Sequence, residues 1–284
     1  MQSNNPVYRV GDCLVFKVQE REMTIPASDL FPGYIHQLSV DEARDPVSLS
    51  IHSWVVRTPE DVIVIDTGTG NGRDRADNPF FHNLSTPYQE NFLATGIKPQ
   101  DVTLVLMTHL HTDHVGWNTV QQENRWVPMF PNARYICSEK ELTLIKNNEC
   151  YRSLWLDSLL PVMEAGLLET IDVAAQPVFG DRIKYMPTPG HSPDHASLIL
   201  SSEGEYAFFA GDIMHSPLQF AHPDWNSVFC DDPQQAEKSR RQGIAWCHRH
   251  HALWFSSHFG GKSCGRVKCD NTGVFHWDEA GDEQ

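Results

Sequence analysis

The amino-acid sequence predicts a layered α/β protein, and three observations carry that expectation. Short apolar stretches bounded by turn residues alternate with stretches that open on helix-capping signals, the order of an α/β chain. The alternation runs in two rounds with short, hairpin-like strand pairs, which disfavours a purely parallel doubly wound sheet. No internal repeat, low-complexity tract or linker interrupts the letters, so residues 1–284 are expected to form a single domain.

Taken in order, residues 7–18 read as an opening strand with Gly11-Asp12 as a bulge or turn. From 19 to 47 the pattern breaks, because Pro26, Pro32, Gly33 and Pro46 punctuate a stretch that still carries Ile25, Leu30, Phe31, Tyr34, Ile35 and Leu38. So apolar a loop must pack on its own domain or cover an active site, and both readings stand. Residues 49–57 and 61–66 read as a strand pair joined by Thr58-Pro59-Glu60. The second strand ends in Asp66-Thr67-Gly68-Thr69-Gly70-Asn71-Gly72, whose glycines permit positive φ and close backbone approach. No Gly-Lys-Ser/Thr follows, so a structural turn with Asp66 holding a ligand is favoured over a phosphate cradle.

Thr86-Pro87 as N-cap and first helical position, with Gly96 as the stop, predicts a helix over 87–95. Strands are expected at 102–107 and 133–137, a helix opening at Ser138 with an acid three residues on, and a helix over 151–164 kinked by Pro161. Strands follow at 168–171, 183–186, 197–200 and 206–210, then a helix over 233–249 and a last strand at 253–255. Cys264 and Cys269 are expected in a C-terminal turn.

Hydrophobic residues make up 40% of the chain, enough for a proper core. With 37 acidic against 22 basic residues the net charge is −15, which disfavours nucleic acid and an anionic membrane as partners. Met1 to Pro6 has no basic segment followed by an apolar core, and no run of about 18 apolar residues could span a bilayer, so a soluble, cytoplasmic protein is expected. Seven scattered cysteines fit reduced thiols.

The chemistry concentrates in Thr108-His109-Leu110-His111-Thr112-Asp113-His114-Val115-Gly116-Trp117, directly after the apolar run 102–107. His109 and His111 are two apart, so in extended chain both rings project to one side and can share an ion. Asp113 and His114 follow the turn and could face a second ion. Imidazole nitrogen and carboxylate oxygen suit zinc, while manganese, iron and cobalt accept the same donors. Two ions need more ligands, and three candidates sit at strand ends: His191 in Thr188-Pro189-Gly190-His191, Asp212 in Ala210-Gly211-Asp212, and His258 in Phe255-Ser256-Ser257-His258. A carboxylate straight after a buried strand costs desolvation energy unless paired or metal-bound, which makes Asp212 the natural bridge.

On these residues, in this order, the chain resembles the metallo-β-lactamase superfamily over roughly residues 50–260, and most of all its acyl-homoserine lactonase and methyl parathion hydrolase branch. The resemblance implies a four-layer αβ/βα sandwich with a dinuclear site: His109, His111 and His191 on one ion, Asp113, His114 and His258 on the other, Asp212 bridging. Trp117 stands where relatives such as glyoxalase II often have a second glycine, and no glutathione-binding region follows. His215, three residues after Asp212, stands where lactonases of the family have a Tyr that polarises the substrate carbonyl, and is read either in that role or as a packing histidine. His195 is read as a turn residue or a neighbour of a ligand, His248, His250 and His251 as a solvated helix end, and the aromatic segment around His222 and Trp225 as pocket wall or core.

The function expected is a dinuclear metal-dependent hydrolase of a carboxylic ester or lactone, in which a metal-bridging hydroxide attacks while Asp113 orients the nucleophile or relays its proton. A phosphotriesterase or β-lactam hydrolase on the same site is the runner-up. A metal-binding regulatory or ligand-binding protein without turnover is the reading from another class. The substrate is a small molecule, and a homodimer is one admissible assembly.

Overall fold

A computed structural model describes residues 6–37, 46–76 and 78–281. Leu38 and the rest of 38–45, within the apolar stretch singled out above, lie outside the described residues. The chain divides into two compact units, Met1–Arg21 with Ile51–Asp172 and Glu22–Ser50 with Val173–Gln284.

The first unit is built on strands β1 (Val7–Val10), β2 (Cys13–Pro26), β3 (Pro46–Arg57), β4 (Val62–Ile65) and β5 (Leu104–Leu106). To these the hairpin β6 (Thr119–Gln122) and β7 (Arg125–Pro128), then β8 (Arg134–Ser138) and β9 (Leu168–Ile171), are added. Among the described residues the sheet order is β1-β2-β3-β4-β5-β8-β9, with β6 and β7 apart, and β2 and β3 run on into the second unit. β4 and β5 are parallel, as are β5 and β8. Parallel neighbours end at the same edge, so Asp66 and the His109 to His114 loop issue side by side. β5 is buried along its whole length, as an apolar central strand must be. Its Val105 joins a core of Val55, Val64, Tyr88, Phe92, Trp117, Phe130 and Tyr135.

The second unit carries β10 (Val178–Phe179), β11 (Ile183–Pro187), β12 (Ala196–Ser202), β13 (Glu205–Phe209), β14 (Leu253–Phe255), β15 (Cys264–Cys269) and β16 (Phe275–Glu279), in sheet order 10 to 16. β12 is antiparallel to both β11 and β13, and β13 is parallel to β14. β11, β13 and β14 therefore point the same way, and His191, Asp212 and His258 all leave one sheet edge. The helix Pro233–His250 starts on Asp232, whose side chain accepts from Gln235 N, and ends at His251 in the left-handed region. Gly243 lets it approach, since a Cβ there would meet Ile213 Cδ1 at 2.8 Å. Phe208, Ile213, Phe220, Ile244 and Trp254 fill this core.

Several expectations need correcting. The opening strand is a hairpin turned at Gly11-Asp12, and its second arm runs on to Pro26, so the irregular stretch begins eight residues later than its prolines suggested. Tertiary pairing overrides the loss of alternation there. Residues 27–37 form two short helical turns that pack Leu30 and Phe31 on Trp225, within the second unit. The helix expected over 87–95 is Tyr88–Leu93, and Thr86 Oγ1 bonds Asn71 Oδ1 instead of capping it. Pro161 follows a π-helical turn, Trp155–Leu159, which absorbs the missing amide. Residues 253–255 are not the last strand, because Cys264 and Cys269 bound β15, which pairs with β16. Ser138 caps as expected, accepting from Lys140 N and Glu141 N. Among the described residues no helix is long and apolar enough to cross a membrane.

Candidate metal centre

In the first unit the ligand-type residues are held by Asp66. Thr108 donates to it twice, from N to Oδ1 at 2.8 Å and from Oγ1 to Oδ2 at 2.8 Å. Oδ2 also lies 2.9 Å from His114 Nδ1. A carboxylate only accepts, so His114 carries its proton on Nδ1 and a lone pair on Nε2. The same logic fixes His109. Thr108 Oγ1 has spent its proton on Asp66, so at 3.0 Å it accepts from His109 Nδ1 and leaves Nε2 with the lone pair. That Nε2 lies 3.0 Å from His111 Nδ1. The His109 ring stands 4.1 Å from that of His114, centroid to centroid, and Asp113 Oδ1 is 3.9 Å from His114 Nε2. All four predicted residues of this loop are thus together, His109 and His114 buried, His111 and Asp113 half-buried.

Backbone contacts lock the loop. Thr67 N donates to His114 O, Gly116 N to Gly68 O and Trp117 N to Thr67 O, each at 2.7 Å. A Cβ on Gly116 would lie 1.8 Å from Thr69 O, so only glycine fits. Two groups that sequence reasoning missed hold this turn. Glu20, buried, accepts from Thr69 N at 2.6 Å, Gly70 N at 3.0 Å and Trp117 Nε1 at 2.8 Å, and burial pushes its carboxyl above the usual range against those hydrogen bonds. Arg73 donates to the carbonyls of Gly116, Thr119 and Asp157 and pairs with Asp157 Oδ1 at 3.1 Å. Burial lowers its pKa to about 10. Neither has a local signal, since Glu20 lies in a stretch that reads as loop and Arg73 meets a partner 84 positions away.

In the second unit Asp212 is the hub. Its Oδ2 lies 2.9 Å from His258 Nε2, 3.3 Å from His191 Nε2 and 3.4 Å from His215 Nε2. His258 Nδ1 faces Ser50 O at 3.1 Å, and a carbonyl only accepts, so its proton is on Nδ1. His195 Nδ1 likewise faces Thr188 O at 3.1 Å, and its Nε2 accepts from Asp212 N at 2.9 Å. His195 thus fixes the backbone of the hub. Gly190 turns the chain ahead of His191 at φ +128, where a Cβ would lie 2.1 Å from Ala236 N. Arg240 ties down the following segment through Ile213 O, Pro223 O and Asn226 Oδ1.

These donors fit a metal ion. With Nδ1 protonated, His258 turns a lone pair on the Asp212 carboxylate at 2.9 Å, an arrangement that needs positive charge between the two. His109 Nε2 and His111 Nδ1 at 3.0 Å face the same demand if both keep lone pairs. Imidazoles oriented through their far nitrogens are what a divalent cation requires.

Of the other histidines, His248 and His251 are exposed at the end of the long helix, as expected of a solvated helix end. His222 and Tyr34 both stack on the buried Trp225, at 4.3 and 5.5 Å, so this part of the segment is core, while Phe229 is exposed with its ring 5.2 Å from that of His215. His250 stacks on Trp246 at 4.5 Å on the last turn of the long helix.

Comparison with known proteins agrees with this chemistry. Residues 48–245 match the metallo-β-lactamase superfamily. The chain is 24% identical over 179 residues to the probable metallo-hydrolase YybB of Bacillus subtilis, covering 63% of this chain and 68% of that one. It is 27% identical over 168 residues to an N-acyl homoserine lactonase of Bacillus cereus, covering 55% and 60%. The matched stretches thus span roughly three fifths to two thirds of those relatives. Among solved structures, the hydrolase AbOPH of the β-lactamase superfamily aligns with a TM-score of 0.81 at 20% identity, over 99% of this chain and 98% of that one. The dizinc quorum-quenching lactonase AidC aligns with a TM-score of 0.79 at 21% identity, over 100% and 99%. Fold and donors together define a metal-dependent hydrolase. The chain belongs to the metallo-β-lactamase superfamily and has its fold.

Proposed function

We propose that the protein hydrolyses a carboxylic ester or lactone at two divalent ions, zinc foremost, held by His109, His111, Asp113, His114, His191, Asp212 and His258, with Asp212 shared. The observation that supports this best is the lone pair of His258 aimed at Asp212, which calls for a cation. When bound, the ions would supply Lewis acidity and a hydroxide at neutral pH. The chain does the rest. Asp66 and Thr108 keep His114 and His109 in the ligating tautomer, and His195 holds Asp212 by its amide. Asp113 orients the nucleophile or takes its proton, and His215 donates a hydrogen bond to the oxyanion, a contribution of about 3 kcal/mol.

A lactone is preferred to a phosphotriester or β-lactam because several relatives are N-acyl homoserine lactonases, and AidC was solved with the product N-hexanoyl-L-homoserine. We read the chain as one functional domain acting on a small molecule in the cytoplasm, with the helical turns of residues 27–37 bordering the substrate.

Metal analysis of the purified protein tests the centre, with about two ions per chain expected. Asp212→Ala should lose both metal and hydrolysis. A panel of lactones, aryl esters, a phosphotriester and a cephalosporin tests the substrate. One ion or none sinks the dinuclear centre, and turnover of the phosphotriester or cephalosporin alone sinks the lactone assignment. No turnover at all would favour a metal-binding protein without catalysis.

A further inference from the structure

Of the histidines at the hub and loop described above, His109, His114, His215 and His258 turn a far nitrogen on different chemistry. His114 Nδ1 faces a carboxylate, His258 Nδ1 a carbonyl, and His109 Nδ1 a hydroxyl whose proton is already spent on Asp66. Each is thereby a donor at Nδ1 with a lone pair at Nε2. His215 differs. Its Nδ1 lies 3.2 Å from Ser227 Oγ, a hydroxyl with a proton of its own to give.

We infer that Ser227 is a positioning residue that donates to His215 Nδ1, fixes the Nε2–H tautomer, and so makes His215 a hydrogen-bond donor and excludes it from the metal ligands. Geometry alone leaves both roles open, because His191, Asp212 and His215 offer donor atoms close enough to hold an ion together. The tautomer decides between them. A nitrogen bearing hydrogen has no lone pair for a metal, and His215 Nε2–H points where Asp212 Oδ2 stands 3.4 Å away.

The surroundings of Ser227 favour donation. Ser227 is buried, and its Oγ has Cys230 Sγ 3.7 Å away on its other side. Burial raises the Cys230 thiol, so it stays protonated at neutral pH and can donate to Oγ, which frees the Ser227 proton for His215. A chain of donors results: Cys230 to Ser227, Ser227 to His215, His215 to the oxyanion. The His215 ring is held for this by its own amide, which donates to Gln219 Oε1 at 2.7 Å, while Gln219 Nε2 donates to Trp225 O at 2.9 Å. It also lies flat against the His258 ring, 5.3 Å between centroids and 8° between planes.

The inference rests on the hydrolase reading above for the purpose of the donor, and on no turnover for the tautomer itself. The test is nitrogen-15 NMR of the imidazoles in the zinc-loaded protein. His215 should show a proton on Nε2, and Ser227→Ala should abolish that preference while Ser227→Thr keeps it. With a lactone or ester substrate, Ser227→Ala should lower kcat about 10-fold at little change in KM, with bound zinc unchanged, and Ser227→Thr should recover most of the loss. A proton on Nδ1 of His215, a metal-bound Nε2, or zinc lost from Ser227→Ala overturns the assignment. So does a kcat indifferent to Ser227→Ala. If no substrate in the panel turns over, the hydrolase reading fails while the NMR result stands or falls by itself.

Discussion

Asp66 adopts φ +52, a conformation that few residues other than glycine tolerate, and it does so fully buried. The strain places both carboxylate oxygens at once, one on the Thr108 amide and the other shared by Thr108 Oγ1 and His114. Removing them frees the His114 ring to rotate and to change tautomer. Asp66→Ala should therefore weaken metal binding by about 10- to 100-fold, read by competition with a coloured chelator. An unchanged affinity would show that the ring is held elsewhere. At this scale the sequence was informative about the donors and about Asp66 and His195 beside them, and silent about the other supports. Seven ligand-type residues stand out because four are clustered within six positions after a strand, and the other three, at later strand ends, support them, a carboxylate there being costly unless paired or metal-bound. Ser50, which orients His258 with a backbone carbonyl, leaves no trace in residue type at all.

The elements that carry these residues are tied by close backbone approach. Gly116 is the sharpest case, since any side chain there would strike the Thr69 carbonyl. Gly116→Ala should lower the melting temperature by on the order of ten degrees, whereas Gly33→Ala, with open space around it, should be neutral. Equal melting of the two variants would mean that the loop relaxes freely. Helix starts were readable where a side chain caps, as at Ser138 and Asp232, because capping is local chemistry. Strands were readable where apolar residues run together, as in β5 and β14. β6, β7, β15 and β16 were not, because they are edge or hairpin strands with polar outward faces, and pairing alone holds them straight.

For the whole molecule, the odd number of cysteines read as reduced thiols, and burial divides them. Cys13, Cys137, Cys247 and Cys264 are buried, Cys230 is intermediate, and Cys150 and Cys269 are exposed. Burial pushes the Cys137 thiol up to about 12 and that of Cys247 well above its ordinary value. Because the thiolate is the reactive form, Cys150 and Cys269 should react quickly with an aromatic disulfide reagent in the native protein, and the buried four only on unfolding. Fast reaction of a buried thiol, located by peptide mapping, would contradict the packing. The layered α/β class was legible from alternation and hairpin spacing. The division of the early chain was not, because residues 22–50 count with the second unit, and such long-range company has no signature in neighbouring letters.

Each sheet sends the donor side chains named above from one edge, which leaves the other edge as attachment ground. The turns Thr58–Asp61 before β4 and Ser202–Glu205 before β13 lie at that opposite edge, a full strand away from Asp66 and Asp212. An affinity tag, a fluorophore or an immobilising linker grafted at Glu60 or Glu203, both exposed, would leave the donors undisturbed and give a handle for assembling this catalyst on a support.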